Sequence, residues 1–131
     1  MASGDIKSAV DDCVIITVTL GATTKVGDIC CVKADGKWDP VTTGDQGKFG
    51  VALDAGVDTG TARMLIWGQV EVKATAATIP KGELIKAGTT GFAVKQGAIA
   101  ETNIYGLVVG TAMTAFASSG QGTIFVGLTY G

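Results

Sequence analysis

Two stretches without glycine or proline carry the clearest hydrophobic pattern in the chain. The first, Asp5 to Leu20, ends in CVIITVTL, where β-branched residues predominate and apolar positions alternate with their neighbours. The second, Gln69 to Ile79, begins QVEVK, where Val70 and Val72 alternate with polar residues. A period of two with β-branched side chains is typical of a strand rather than a helix. Both stretches are therefore predicted to contain β-strands.

Turn signals divide the rest of the chain into short apolar runs. Ala34-Asp35-Gly36 and Asp58-Thr59-Gly60 are typical tight turns, because glycine accepts a positive φ and aspartate bonds its own backbone. Between the turns lie GVAL, RMLIW, GFAV, YGLVV and TIFVGL. Short strands at this spacing predict an all-β fold, a single compact barrel-like or sandwich-like domain.

The chain also resembles itself. Val26-Gly27-Asp28-Ile29 matches Lys81-Gly82-Glu83-Leu84 at an offset of 55, and FGVA from Phe49 matches YGLV from Tyr105 at 56. Gly60-Thr61 matches Gly122-Thr123 at 62. We interpret this as two similar β lobes, with repeat units 26–68 and 81–127, although twenty glycines also allow chance agreement. The predicted domains are a polar N-terminal arm, 1–12, and a β-rich domain, 13–131.

The stretch TTGDQGKFGVAL, Thr42 to Leu53, has the glycines and lysine of a phosphate-binding loop. A Walker loop needs a glycine at position 42 and a hydroxyl at 49, but Thr42 and Phe49 occupy them. We therefore expect Gly44 and Gly47 only to turn the chain into a strand at Phe49.

Composition excludes several classes of function. Ten basic and twelve acidic residues, with a net charge of −2, give no positive field to hold nucleic acid. With no histidine, the commonest general base and metal ligand is absent, so we expect neither an enzyme, a metal site nor a cofactor. No apolar run is long enough to span a bilayer and the start lacks a signal-peptide pattern, so we expect a soluble protein made in a cytoplasm.

The three cysteines, Cys13, Cys30 and Cys31, cannot all pair. Adjacent residues of a strand point to opposite faces, so Cys30 and Cys31 are expected to be reduced apolar fillers on two sides of a sheet. After Glu101 no charged residue occurs to the end of the chain. This neutral segment is either a central strand pair buried within one subunit or a subunit interface.

Large side chains and the N-terminus supply candidate contact residues. Tryptophan and other aromatic residues are enriched at interface hot spots. Candidate anchors or subunit-interface residues are therefore Trp38, Trp67, Phe116, Phe125 and Tyr130, with a core position the alternative for Trp67 in particular. Met1 to Asp12 is either a disordered tail or an arm that orders on a partner, with candidate contacts at Ala2, Ser3, Asp5, Ile6 and Lys7.

The assembled pattern resembles a family of phage capsid decoration, or cement, proteins encoded near the major capsid protein. The likeness runs from Val14 to Leu128 through VGDICCV, GKFGVALDAGVDTGTARMLIWGQVEV, IPKGELI, YGLVVGTAM and GTIFVGL. It implies a β-rich structural protein that binds the outer surface of an icosahedral capsid, commonly as a trimer, and bridges capsomers. Its partners would be the major capsid protein and itself. The alternatives are a β-clip-like ligand-binding module, indicated by KGELIKAGTTG, and a minor virion spike or fibre-base protein.

Overall fold

The computed structural model describes residues 3–6, 13–42, 47–75, 77–95 and 108–127, and the regular structure within them is almost entirely β. The prediction of an all-β fold is confirmed. A single 3₁₀ turn, Thr89–Gly91, interrupts the described strands. The strands are β1 Val14–Thr19, β2 Ile29–Val32, β3 Trp38–Pro40, β4 Phe49–Ala52, β5 Thr61–Lys73, β6 Leu84–Ala87, β7 Ala93–Lys95, β8 Val108–Ala112 and β9 Gln121–Val126.

The strands form one antiparallel sheet that curls into a half-barrel. Its order is β3-β2-β4-β5-β9-β8-β6-β7, and β1 pairs with β5 beside this path. Two clusters of buried side chains pack against the sheet. The larger contains Leu65, Val70, Ile85 and Ile124, and the smaller contains Val18, Leu20, Trp38 and Met64. The core therefore lies on both faces of the central strands, which explains their nearly continuous apolar sequences.

Strand β5 is longer than the sequence pattern predicts. RMLIW and QVEV were expected to be separate strands, but they form one strand of 13 residues that passes through Gly68. Gly68 has a φ of 129°, a conformation that glycine adopts without the steric cost a Cβ would bring. The strand can therefore change partner along its length: its first half pairs with β1 and β4, and its second half pairs with β9.

The sheet consists of two units with the same pairing, and they share β5. The first unit is β1 to β4 with the first half of β5, and the second is the other half of β5 with β6 to β9. The hydrogen bonds correspond closely. The Gly27 N–H donates to the Ala52 carbonyl at 2.8 Å, and the Gly82 N–H donates to the Ala112 carbonyl at 2.8 Å. Because β1 pairs with the first half of β5 and the second half of β5 pairs with β9, the second half of β5 is the counterpart of β1.

Counterparts lie 55 positions apart at Gly27 and Gly82 but 60 apart at Ala52 and Ala112. The sequence pattern instead gives an offset of 56 for FGVA and YGLV and of 62 for the two Gly-Thr pairs. The offsets differ because abundant glycines allow several similar sequence alignments, whereas the pairing of β4 with β5 and of β8 with β9 allows one. The turn before β5 and the turn before β9 also correspond, since Thr59 and Ser119 both have a positive φ, 68° and 54°. The predicted domain limits, 1–12 and 13–131, stay a prediction.

Three local expectations fall on described residues. Strand β4 begins at Phe49, as the glycines before it indicated, although residues 43–46 lie outside the described part. Cys30 belongs to the smaller cluster and Cys31 to the larger, so the two thiols face opposite sides of β2. All three cysteines are thiols rather than halves of disulfides, and burial raises the pKa of the Cys30 thiol. Such a thiol is chemically inert, as an apolar filler should be.

Candidate functional site

Exposed apolar side chains gather where β1 meets the middle of β5. Val14 is 48% exposed, Ile15 39% and Trp67 38%, and Val14 lies opposite Trp67 in the ladder. The Trp67 ring packs edge-on against Phe125, with centroids 5.0 Å apart, which holds the indole in place. Apolar side chains grouped in this way on a surface are typical of a contact site. We call these three residues the apolar patch.

The patch results from the position of β1 in the sheet. Val18 faces the smaller core cluster and Ile16 packs against it, so the alternate residues Ile15 and Thr17 face the other side of the sheet. The ladder shifts register between Val14 and Ile15, which places Val14 opposite Trp67. Strand β1 contains no charged residue and no proline, the features that usually protect a strand edge from pairing with another chain. Val14 and Ile15 were not among the candidate contact residues. Their signal in the sequence was a strand that is apolar at both its even and odd positions.

The described residues of the N-terminal arm lie on the protein's own sheet. The Gly4 N–H donates to the Glu71 carbonyl at 2.7 Å, and the Glu71 N–H donates to the Asp5 carbonyl at 3.0 Å. Ile6 forms a bridge with Val70 and keeps 40% of its surface exposed. Ser3 to Ile6 thus cover the outer side of the second half of β5. The candidates Ala2 and Lys7 lie outside the described residues.

The aromatic candidates occupy different environments. Trp38 is 6% exposed and Phe116 2%, and each belongs to a core cluster. These two side chains therefore offer almost no surface to a partner. Trp67 is exposed in the apolar patch, where it differs from the core position considered for it, and Phe125 is half-buried beneath its ring. Tyr130 lies outside the described residues.

The described part of the neutral C-terminal segment is a central strand pair. Strands β8 and β9 lie between β6 and β5 in the sheet order, and most of their residues are buried. Of the two explanations for the missing charges, burial within one subunit accounts for the strands Val108–Ala112 and Gln121–Val126, whereas most of the turn between them is exposed. Uncharged sequence is what a strand covered on both sides requires.

Two polar contacts stand out along β5. Arg63 and Asp54 form a bidentate pair on the surface, with Arg63 Nη2 donating to Asp54 Oδ1 at 2.9 Å and Nε donating to Oδ2 at 3.0 Å. These side-chain hydrogen bonds lower the pKa of Asp54 to about 2. Glu71 is 5% exposed, and its Oε1 accepts a hydrogen bond from Thr123 Oγ1 at 2.9 Å. The Arg63–Asp54 pair is exposed to solvent and the Glu71–Thr123 hydrogen bond is buried, so the two contacts differ in how much they stabilise the fold.

Two cavities lined by described residues are small. One of about 180 Å³ lies beside the apolar patch and is lined by Phe49, Ile66, Trp67 and Val108. Another of about 170 Å³ lies between Ser3, Val26, Lys73 and Phe92. Sites for small ligands typically enclose about 300 to 1,000 Å³. The geometry therefore suits recognition by a surface better than enclosure of a small molecule.

Neither a metal-binding cluster nor a membrane-spanning helix occurs among the described residues. No group of three or more cysteine and acidic side chains is close enough there to hold a metal ion. That same part of the chain contains no helix with the length and apolarity to cross a membrane.

Comparisons with known proteins find a similarity in structure but none in sequence. No protein-family model matches the chain, and no curated protein does. Among solved structures, the fold is similar to the N base of the head fiber protein gp8.5 of bacteriophage phi29, with a TM-score of 0.61 and 13% sequence identity. The match covers 88% of this chain and 94% of that one. At this identity, the likeness shows that the two chains share a fold.

Proposed function

We propose that the protein is a structural component of a phage virion that binds the outer surface of the icosahedral capsid. It acts there as a decoration protein: bound as a trimer, it bridges neighbouring capsomers and stabilises the shell. Its partners are the major capsid protein and further copies of itself.

The observation that carries this proposal is the shared fold. The neighbour is the base of a phage head fiber, and the match includes nearly all of both chains. The sequence pattern from Val14 to Leu128 independently resembles phage decoration proteins. The structural similarity and the sequence resemblance thus both favour a component of a phage virion.

The geometry suits a protein that functions by adding contacts. The described strands form one sheet, and the two units share one continuous strand, so the contacts are displayed on a single β scaffold. Its exposed apolar patch offers a surface for association. A ligand that binds only the assembled shell stabilises that state by mass action, with no chemical step required.

Cosedimentation with capsids tests the proposal. Purified protein is mixed with emptied, expanded capsids of the phage that encodes it, and the pelleted amount is measured over a concentration series. We expect saturation at a fixed number of copies per capsomer, and bound shells should disrupt at a higher temperature than bare ones. Protein that stays in the supernatant at every concentration contradicts capsid binding. Sedimentation velocity of the free protein tests the trimer separately.

A fibre base is the second candidate function, and the head fiber neighbour specifically favours it. The two candidates differ in what projects from the bound protein. Cryo-electron microscopy of virions labelled through an added tag distinguishes them. A compact knob at the label supports decoration, whereas a shaft rising from it supports a fibre base.

A further inference from the structure

Among the described residues, β1 pairs with β5 on one side and has no strand on its other side. Leu20 bonds toward β5, because its N–H donates to the Gly60 carbonyl at 2.8 Å and its carbonyl accepts from the Thr59 N–H at 2.8 Å. Alternate residues of an antiparallel strand bond to the same side, so Thr17 directs its N–H and carbonyl away from β5. Within residues 3–6, 13–42, 47–75, 77–95 and 108–127, nothing bonds to these two groups of Thr17.

The counterpart of Thr17 in the second unit is Glu71. Thr17 lies opposite Arg63 in the first unit, as Glu71 lies opposite Thr123 in the second. The Leu53 N–H donates to the Arg63 carbonyl and the Met113 N–H to the Thr123 carbonyl, which fixes the correspondence. The outward N–H and carbonyl of Glu71 are both bonded, to Asp5 and Gly4. One of two equivalent edges is therefore covered by an added strand, and no described residue pairs with the other.

The turn at the covered place differs from its counterpart in the second unit. Gly27, at a φ of 91°, packs so closely on Ser3 that a Cβ on it would overlap the serine. Its counterpart Gly82 has nearly the same φ, 89°, but no described atom lies within 4 Å of where its Cβ would be. A Cβ on Gly4 would overlap Val26, so the covered place requires a glycine, which here follows the small residue Ser3.

We propose that the β1 edge binds an extended segment of the capsid's shell protein by strand addition. The inference rests on the proposed function and names the contact through which it operates. The segment that fits has a small residue and a glycine, as Ser3 and Gly4 do in the covered place, and apolar side chains that lie against Val14 and Ile15. Strand addition gains affinity from main-chain bonds and specificity from alternate side chains.

A second copy of the chain is a poorer occupant. Each chain has one N-terminal segment with this small-glycine step, and Ser3 to Ile6 already occupy its own β5. A neighbouring copy could donate that segment only by uncovering its own Glu71. Among the described residues none supplies a strand for β1, so we assign that strand to a different protein.

The test compares Thr17→Pro with Thr17→Val in capsid cosedimentation. Proline removes the outward N–H and is tolerated on edge strands where that group faces solvent, while valine keeps it. We expect Thr17→Pro to bind capsids at least about tenfold more weakly than wild type and Thr17→Val to bind normally. Equal binding by the proline variant overturns the inference. Thermal unfolding of both variants shows that each is folded.

Charge at the edge provides a second pair if Thr17→Pro does not fold. Ile15→Lys places a charge in the apolar patch, whereas Val57→Lys places the same charge on a residue that is 64% exposed in the turn before β5. We expect only Ile15→Lys to weaken capsid binding. Equal effects of the two variants contradict a specific role for β1.

A peptide experiment separates this inference from the proposed function. The synthetic peptide MASGDIKS, residues 1–8, is titrated into the protein while the amide resonances of residues 15–19 are followed by NMR. We expect shifts there with wild type and none with Thr17→Pro; no shift with wild type overturns strand addition. Protein that shows these shifts but fails to pellet with capsids retains the strand site and loses the virion role. Concentration-dependent self-association that Thr17→Pro abolishes assigns the edge to a second copy and overturns the choice of partner.

Discussion

The two units use the same strand pairing yet differ in what covers their first strand. In the second unit, Ser3 to Ile6 lie along β5 and bond both outward groups of Glu71. In the first unit, β1 has apolar side chains at its surface and an edge to which no described residue bonds at Thr17. Because the two units share the same strand pairing, the covered edge of the second unit can be compared directly with the β1 edge of the first. The covered edge shows what the open edge can accept.

The largest expected effect comes from a counterpart pair of glycines in β4 and β8. A Cβ at Gly110 would overlap the Phe125 carbonyl, whereas a Cβ at Gly50 would lie 3.3 Å from the Leu65 carbonyl. We expect Gly110→Ala to lower the free energy of unfolding by about 3 kcal/mol or more, because backbone must move, and Gly50→Ala by about 1 kcal/mol. Urea unfolding checks both. Equal losses would mean that the second unit packs its β8–β9 pair no more tightly than the first packs β4–β5.

The buried contact between Glu71 and Thr123 should come next. Thr123→Val removes the hydroxyl that donates to Glu71 Oε1 and leaves a buried carboxylate oxygen without that donor. We expect a loss of about 1 to 3 kcal/mol. The double variant Glu71→Gln with Thr123→Val is the control, since it tests whether the two losses are coupled. Additive losses in a double-mutant cycle would show that the hydrogen bond contributes little.

The turn glycines Gly27 and Gly82 test the covered place directly. Alanine at either position loses about 1 kcal/mol because both have a positive φ. Gly27→Ala must also displace Ser3, so we expect it to cost about 1 kcal/mol more than Gly82→Ala. Chemical denaturation of the two variants measures the difference. If Gly82→Ala were the more damaging, the N-terminal segment would not be seated as described.

The smallest effect concerns one main-chain bond that both units make to a side chain. Asp54 Oδ2 accepts from the Arg63 N–H at 2.9 Å, and Thr114 Oγ1 accepts from the Thr123 N–H at 3.0 Å. The pKa of Asp54 is lowered from 3.8 to about 2 in the folded protein. Its contribution is therefore complete above pH 4 and is lost as the pH falls toward 2. Because Asp54 is exposed, we expect Asp54→Ala to cost less than about 1 kcal/mol at neutral pH.

Thr114→Ala is the matched control for this pH dependence. A hydroxyl does not titrate in this range, so its loss should cost the same at pH 6 and pH 3, whereas the cost of Asp54→Ala should shrink at pH 3. Thermal unfolding at the two pH values makes the comparison. Parallel behaviour of the two variants would show that the ion pair adds nothing to the backbone bond.

The sequence predicted the fold class and most strand positions because local signals determine them. Alternation in VIITVT and the turn at Ala34-Asp35-Gly36 both depend on neighbouring residues. The continuity of β5 through Gly68 was missed, since a glycine in a strand interior resembles a break until its partners are known. The offset of 60 between Ala52 and Ala112 was missed for a similar reason. The register depends on pairing between strands that are distant in sequence, and the repeated glycines do not determine it.

The contact surface was harder to predict than the core. Size and aromaticity indicated Trp38 and Phe116, but burial depends on which face of a strand looks inward. Val14 and Ile15 carried no distinguishing chemistry, and their exposure follows from the position of β1 at an edge. Pairing of Ser3 to Ile6 with β5 joins residues more than sixty positions apart, which local patterns do not report.

The sharing of β5 also determines how the molecule comes apart. Its thirteen residues belong to both units, so neither half can melt without removing a strand from the other. Two adjacent domains joined by a linker would unfold in two steps, but here a single cooperative transition is the expected calorimetric result. A load applied across the molecule would reach both halves through one backbone, and the protein would yield as a whole or remain intact.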